Sequence, residues 1–284
     1  MTIAAATGRS SGKSTSASLE RERMGGESEL AYLRAAGARQ LDVFFSPSEV
    51  GEDRLKGYRN VVVIDVLRAA TSIATALSNG ARDVLPAISI SAATTLASQL
   101  ARDDILLCGE REGKLIDGFH LGNSPADYTR DRVRGRTLIF GSTNGTPAII
   151  KAAGAGTVLL CGFVNLPSVL EVLFEEGDPF PMAILCAGKI NRFSVEDSAC
   201  AGQLVDLMCG RSSPEPQLND AARISRLIKR EFGGDSLSLL YSSDHGRYLI
   251  SLGMEADLPM CAAFGVLPIV PVLRDGKLVK WESS

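Results

Sequence analysis

No run of eighteen apolar residues occurs in this sequence, so no helix is expected to cross a membrane. Positive charge is not in excess. The chain has 30 Lys and Arg against 33 Asp and Glu, a formal net charge of -3. No basic face is implied, and aromatics make up only 6% of the residues, too few for a base-stacking surface. Both shortages argue against nucleic acid as a partner. Histidine is nearly absent, with 2 in the chain, and none of the six cysteines forms a C-x-x-C pair, which argues against zinc. Cys108, Cys161, Cys186, Cys200, Cys209 and Cys261 lie in or beside apolar segments. They read as buried reduced thiols of a cytoplasmic protein.

The N-terminus lacks a long apolar core and does not read as a secretory signal. Residues 1–38 read as a flexible tail ending in a short amphipathic piece. Gly8-Arg9-Ser10-Ser11-Gly12-Lys13-Ser14 imitates a P-loop, but three residues separate its glycines where four are needed, and no strand precedes it.

From Gln40 onward, apolar strand-like runs alternate with helix-like stretches. Strands are expected at Leu41–Phe45, Val61–Ile64, Val84–Ala87, Ile105–Cys108, Thr137–Phe140, Thr157–Cys161 and Met182–Cys186. Helices are expected at Ala69–Leu77, Ser91–Leu100 with Ser91 as cap, Pro147–Ala153 and Leu166–Glu176, then over 196–209 and 218–231. Residues 109–135 read as a long, largely irregular connection, and a hairpin closes the chain around Asp275-Gly276. This alternation predicts an α/β fold with a parallel sheet and helices on both faces.

Three of the strands end in short turns of small and polar residues that open helices: Asp65 to Ser72, Gly141 to Pro147, and Cys186 to Lys189. Such a turn offers free backbone N–H groups and the positive end of a helix dipole, a ready anion site. Carboxylates stand beside the turns, and Arg68 and Lys189 stand on them.

Seven short motifs run in order: Asp65-Val66-Leu67-Arg68-Ala69; Gly109-Glu110-Arg111 with Gly113; Gly118-Phe119-His120-Leu121-Gly122-Asn123-Ser124-Pro125; Thr143-Asn144-Gly145-Thr146; Cys186-Ala187-Gly188; Phe193-Ser194-Val195-Glu196-Asp197; and His245-Gly246-Arg247. Over about residues 41–275 the chain resembles the 2-phosphosulfolactate phosphatase family, whose type enzyme serves coenzyme M biosynthesis. The resemblance implies a two-lobed α/β fold over 39–284, with lobes at about 39–135 and 136–284. It also implies a Mg2+-dependent phosphatase that converts 2-phospho-3-sulfolactate to 3-sulfolactate and phosphate, and it leaves a homodimer open. Two positions depart from the family pattern. His120 stands where an Asp is usual, and Asn191 where a second glycine is common near Cys186-Ala187-Gly188. Magnesium prefers oxygen ligands, so a histidine in place of a ligand would weaken the metal site.

The residues can be read for chemistry beside that resemblance. Asp65 and Glu110 follow apolar strands, where ligands bind in open α/β folds, and read as metal ligands or general acid/base groups. Asp65 also reads as a cap for the turn at Ala69. Glu196 and Asp197 begin a helix, with Asp197 expected to face inward as a third metal ligand. Thr71, Thr143, Asn144, Gly145, Thr146 and Gly188 supply turns for phosphate. Asn123 and Ser124 read as substrate contacts or as a rigid capped turn before Pro125. Arg68, Arg111, Lys189 and Arg247 are the candidate cations for a small anionic phosphorylated substrate, and Arg68 can fork onto phosphate or sulfonate. His245 reads as a proton donor to the leaving oxygen or as a helix cap. Cys186 and Arg192 match the C-x5-R spacing of cysteine phosphatases, but the intervening residues lack the glycine-rich cradle. A non-catalytic binder of phosphorylated or sulfonated metabolites remains the alternative to the phosphatase.

Overall fold

In the computed structural model of the protein, residues 39–283 are described except 52, 101–103, 176 and 233. The expected tail over 1–38 and its P-loop imitation lie outside the described residues. In chain order, β1 (Gln40–Phe44) and β2 (Asn60–Ile64) precede α1 (Ala69–Ser78). Next come β3 (Asp83–Pro86), α2 (Ile90–Leu100), β4 (Ile105–Arg111), β5 (Lys114–Leu115) and a single-turn α3 (Arg130–Val133). They lead to β6 (Thr137–Gly141), α4 (Gly145–Ala152), β7 (Thr157–Cys161), α5 (Leu166–Glu175) and β8 (Met182–Cys186). The remainder is α6 (Val195–Arg211), β9 (Gln217–Leu218), α7 (Asp220–Glu231), α8 (Ser236–Ser242), α9 (Asp244–Ser251), α10 (Asp257–Ala262) and the hairpin β10 (Pro271–Arg274)–β11 (Lys277–Lys280).

All strands join one sheet in the order β5-β4-β6-β3-β11-β10-β7-β2-β8-β1-β9. It holds two parallel blocks, β4-β6-β3 and β7-β2-β8-β1-β9. The hairpin inserts between them with antiparallel pairing on both sides, β11 to β3 and β10 to β7. The expected boundary near residue 135 falls inside the first block, since β6 pairs with β3 and β4.

Burial follows the two-residue period of a strand. In β2, Asn60-Val61-Val62-Val63-Ile64, every residue is buried. Val62 and Ile64 pack on one face with Leu166 of α5, Leu204 and Val205 of α6, and residues of α8 to α10. Val61 and Val63 pack on the other with Ile73 of α1 and Ile149 of α4. A smaller cluster around Ile139 and Phe119 seats α2.

The two blocks run in opposite directions, so the carboxyl ends of β6 and β2 meet only if the sheet curls. Five strand spacings separate β6 from β2, about 24 Å in a flat sheet. Yet Gly145, four residues beyond β6, lies so close to Asp65, the residue after β2, that a Cβ on it would collide with Asp65 Oδ2 and Ala69 Cβ. Twist accumulating over the intervening strands brings the ends together.

Several local expectations shift. Strand β4 continues to Arg111 because Gly109 pairs with Gly141 and Glu110 pairs with Leu115 across the hairpin to β5. Its turn residues Glu112 and Gly113 both have positive φ, the geometry of a two-residue hairpin turn. The cap of α2 is Ser89 rather than Ser91, for Ser89 Oγ accepts the Ala92 N–H at 3.1 Å. The closing turn at Asp275-Gly276 also has positive φ at both residues, as the sequence predicts.

Helices α6 and α7 cross so closely at Gly202 that a Cβ there would meet the backbone of Ser225 and Arg226. Gly202→Ala is expected to cost about 3 kcal/mol, because two helix backbones must separate. Urea unfolding measures this, and an unchanged midpoint would contradict the packing.

Candidate active site

The three turns foreseen in the sequence meet at one cavity of about 310 Å³. Asp65 leaves buried β2 and turns back on the start of α1, where its Oδ1 accepts the Ala69 N–H at 3.1 Å. The capping reading is therefore realised, with Oδ1 as the oxygen that takes the bond. Glu110 enters from β4. Its Oε1 accepts the Thr143 N–H at 2.6 Å, and its Oε2 accepts the Gly113 N–H at 2.7 Å and the Thr143 hydroxyl at 3.1 Å. The Ser142–Thr146 turn is stiffened by reciprocal bonds, Ser142 N–H to Thr146 Oγ1 and Thr146 N–H to Ser142 Oγ. Asn144 Oδ1 accepts the Ile190 N–H at 2.8 Å, which joins this turn to the one after β8.

Of the residues singled out in the sequence, Asp65, Arg68, Glu110, Asn123, Thr143, Asn144, Lys189 and His245 line the cavity. The others do not. Thr71 is buried in α1, and its hydroxyl faces the Val66 carbonyl. Gly145 and Thr146 shape the turn from behind. Arg111 reaches the Ile88 carbonyl, and Arg247 is exposed on α9, paired with Asp244. Ser124 donates to Asp257 Oδ1 at 2.5 Å. His120 is exposed, with Nδ1 accepting the Leu107 N–H, so its place in the family's usual Asp position does not touch the cavity.

Arg68 lines the cavity but is already engaged. One guanidinium nitrogen bonds Asp257 Oδ2 at 2.5 Å and the other the Gly113 carbonyl at 2.9 Å. Arg68 and Asp257 are both buried, so this pair clamps α10 and the β4–β5 hairpin to the start of α1. Asn123 is buried, and its Oδ1 has no hydrogen-bond donor among the described residues.

The two carboxylates opening α6 divide their work differently from the expectation. Asp197 is not in the cavity wall. Its Oδ1 accepts the Val66 N–H at 2.8 Å and its Oδ2 the Gly188 N–H at 3.0 Å, tying the ends of β2 and β8 together. Glu196, buried beside it, stands 3.2 Å from His245 Nδ1. With Nδ1 so occupied, Nε2 is left for the cavity. Ser243 caps α9, accepting the Gly246 N–H, and α9 then presents His245, Tyr248 and Leu249 to the cavity. Their spacing is that of one helix face, a signal already present in the sequence. Glu112 and Asp257 had no such signal to mark them.

Burial pushes the Asp65 carboxyl above its ordinary value, opposed by His245 and the Ala69 N–H and reinforced by Glu110 and Glu196. Burial likewise pushes Asp197 up, with Glu196 and Asp65 adding to it. Burial also raises the Cys186 thiol well above its usual range, and Cys186 is absent from the cavity wall. A buried, protonated thiol outside the cavity is a poor nucleophile. Among the described residues, no group of three or more His, Cys, Asp or Glu is placed to hold a metal ion. Two carboxylates, Asp65 and Glu110, line the cavity, and the charge of Glu110 acts on Asp65.

Asp65 and Asp197 are expected to respond oppositely to mutation. Asp197→Ala leaves two buried N–H groups without acceptors and should cost about 2–4 kcal/mol. For Asp65, the folded state binds the proton more tightly than the unfolded state, so its contribution to stability falls as pH rises above the ordinary carboxylate range. Asp65→Asn cannot ionise, and in metal-free protein it should gain about 1–3 kcal/mol at pH 7, the gain vanishing toward pH 4. Thermal unfolding in EDTA at both pH values measures both effects, and a loss for Asp65→Asn would contradict the uncompensated carboxylate. Cys186→Ser should keep its turnover, whereas complete loss in a folded protein would restore the thiol mechanism.

A family profile described as 2-phosphosulpholactate phosphatase matches residues 44–276. A probable 2-phosphosulfolactate phosphatase of Symbiobacterium thermophilum is 44% identical over 225 residues, covering 79% of this chain and 95% of that protein. Its counterpart from Carboxydothermus hydrogenoformans is 37% identical over 242 residues, 84% of this chain and 96% of that protein. A third, from Caldicellulosiruptor saccharolyticus, is 38% identical over 225 residues, 78% of this chain and 91% of the relative. Matched by the profile over most of its length, and covering these relatives nearly end to end, the chain belongs to the 2-phosphosulpholactate phosphatase family.

Proposed function

We propose that the protein is a Mg2+-dependent phosphomonoester hydrolase acting on 2-phosphosulfolactate to release 3-sulfolactate and phosphate. The observation that carries this reading is the sharing of one cavity by two carboxylates, Asp65 and Glu110, the Ser142–Thr146 turn and an oriented histidine. Its family membership and the names of its relatives support the same chemistry. The six cysteines, all free and buried, suit a reducing cytoplasm.

Charge explains the need for a cation. The substrate carries phosphate, sulfonate and carboxylate, and Asp65 and Glu110 would repel it. Arg68 offers little relief because Asp257 already neutralises it. The oxygen donors of Asp65 and Glu110 suit magnesium, which is commonly held by one or two carboxylates, waters and substrate phosphate. When bound, the ion would neutralise charge on the phosphoryl oxygens. The backbone of the Ser142–Thr146 turn and the Asn123 amide would orient the phosphoryl group. His245, held through Nδ1 by Glu196, would deliver a proton from Nε2 to the leaving oxygen.

Phosphate release from 2-phosphosulfolactate, with Mg2+ and with EDTA, tests the reading. Release that needs Mg2+ is expected, and Asp65→Asn and Glu110→Gln should lower kcat by about 10²–10³. Release unaffected by EDTA would remove the metal. Tight binding without release would make the protein a binder of phosphorylated or sulfonated metabolites.

A further inference from the structure

Three basic side chains line the cavity, and their partners divide them. Arg68 is buried against Asp257, and His245 faces Glu196. Lys189 has no carboxylate partner among the described residues. Its Nζ donates to the Asp244 carbonyl at 3.1 Å and lies 4.8 Å from the centre of the Tyr248 ring. An ammonium group has three donors, and this carbonyl takes one.

The position of Lys189 is fixed although its charge is not neutralised. Its N–H donates to the Arg192 carbonyl at 2.9 Å, and its own carbonyl accepts the Arg192 N–H at 3.1 Å. The next residue, Ile190, is tied to Asn144. Tyr248, beneath the ammonium, donates its hydroxyl to the Glu112 carbonyl at 2.8 Å. Lys189 thus belongs to the wall made by the Gly188–Arg192 turn and α9. Glu110 and Thr143 belong to a different wall, made by β4 and the Ser142–Thr146 turn.

We propose that Lys189 is the specificity residue that binds the second acidic group of the substrate, a sulfonate or carboxylate outside the phosphoryl group. A carbonyl and an aromatic face hold an ammonium in place without cancelling its charge, so it remains available to an incoming anion. Arg68, the more obvious candidate in the sequence, serves as the clamp beneath the site. The assignment rests on the phosphatase reading above.

The test compares wild type, Lys189→Met and Lys189→Arg on three esters: 2-phosphosulfolactate, 2-phospholactate, which lacks the sulfonate, and p-nitrophenyl phosphate, which lacks both acids. Lys189→Met should raise KM for 2-phosphosulfolactate about tenfold to a hundredfold and change kcat/KM for p-nitrophenyl phosphate less than about twofold. Lys189→Arg should recover part of the loss. A loss on 2-phospholactate as large as that on 2-phosphosulfolactate would put the carboxylate on Lys189, and a smaller loss the sulfonate. Calorimetry with 3-sulfolactate, which has no phosphate to lose, gives a readout independent of turnover. Wild type should bind it and Lys189→Met should bind it at least about tenfold more weakly. Equal losses on all three esters would place Lys189 on the phosphoryl group and overturn the assignment. So would equal binding of 3-sulfolactate by wild type and Lys189→Met, or no binding by wild type. Failure of wild type to hydrolyse any of the esters would remove the phosphatase reading alone, with calorimetry still deciding Lys189.

Discussion

One buried carboxylate sets the geometry on which the cavity depends. Asp197 accepts N–H groups from Val66 and Gly188, so the chain leaving β2 and the chain leaving β8 are held to the first turn of α6. Asp65 and Lys189 are each one residue from those anchored amides, and Glu196 immediately precedes Asp197 in α6. A group that never faces the cavity therefore fixes residues on two of its walls. This is a common division in α/β sites, where backbone amides at strand ends need acceptors whether or not a ligand is present.

The second constraint is electrostatic. Arginine is the usual cation for a polyanion, yet here the buried arginine is neutralised by Asp257 and its fork is spent on Asp257 and Gly113. Removing either partner of a buried pair is far costlier than the pair's net contribution, so Arg68 and Asp257 are better understood as architecture. What remains facing the substrate is two carboxylates, an oriented imidazole and one ammonium. That set is incomplete for phosphate alone, and the proposed divalent cation, held by Asp65 and Glu110, would supply the missing positive charge. Lys189 is then left for the far end of the substrate.

Much of this was legible in the sequence because the signals are local. The all-apolar run Val61–Ile64 and the strand–turn–helix rhythm give the sheet and both helical layers, and the small-residue turns give the cavity's location. Glu110 was marked by its place near the end of an apolar run, although the strand continues past it once β5 pairs with it. The failures share a cause. Arg68 and Asp257 are separated by 189 positions, and no periodicity reports that they meet. Glu196 and Asp197 are adjacent on one helix, and only the fold decides which one meets His245 and which one meets the backbone. The antiparallel hairpin that inverts one parallel block against the other is visible as a hairpin, but its place in the middle of the sheet is a long-range choice.

The central claim is that Asp65 and Glu110 hold a divalent cation against a phosphoryl group lying on the Ser142–Thr146 turn. A crystal structure with Mn2+ and vanadate, using the anomalous signal of the metal, addresses it directly. The account predicts manganese bound by Asp65 Oδ2 and a Glu110 oxygen, with vanadate against the backbone of Thr143 to Gly145. Manganese on Asp197, or vanadate bound with no metal in the cavity, would contradict it.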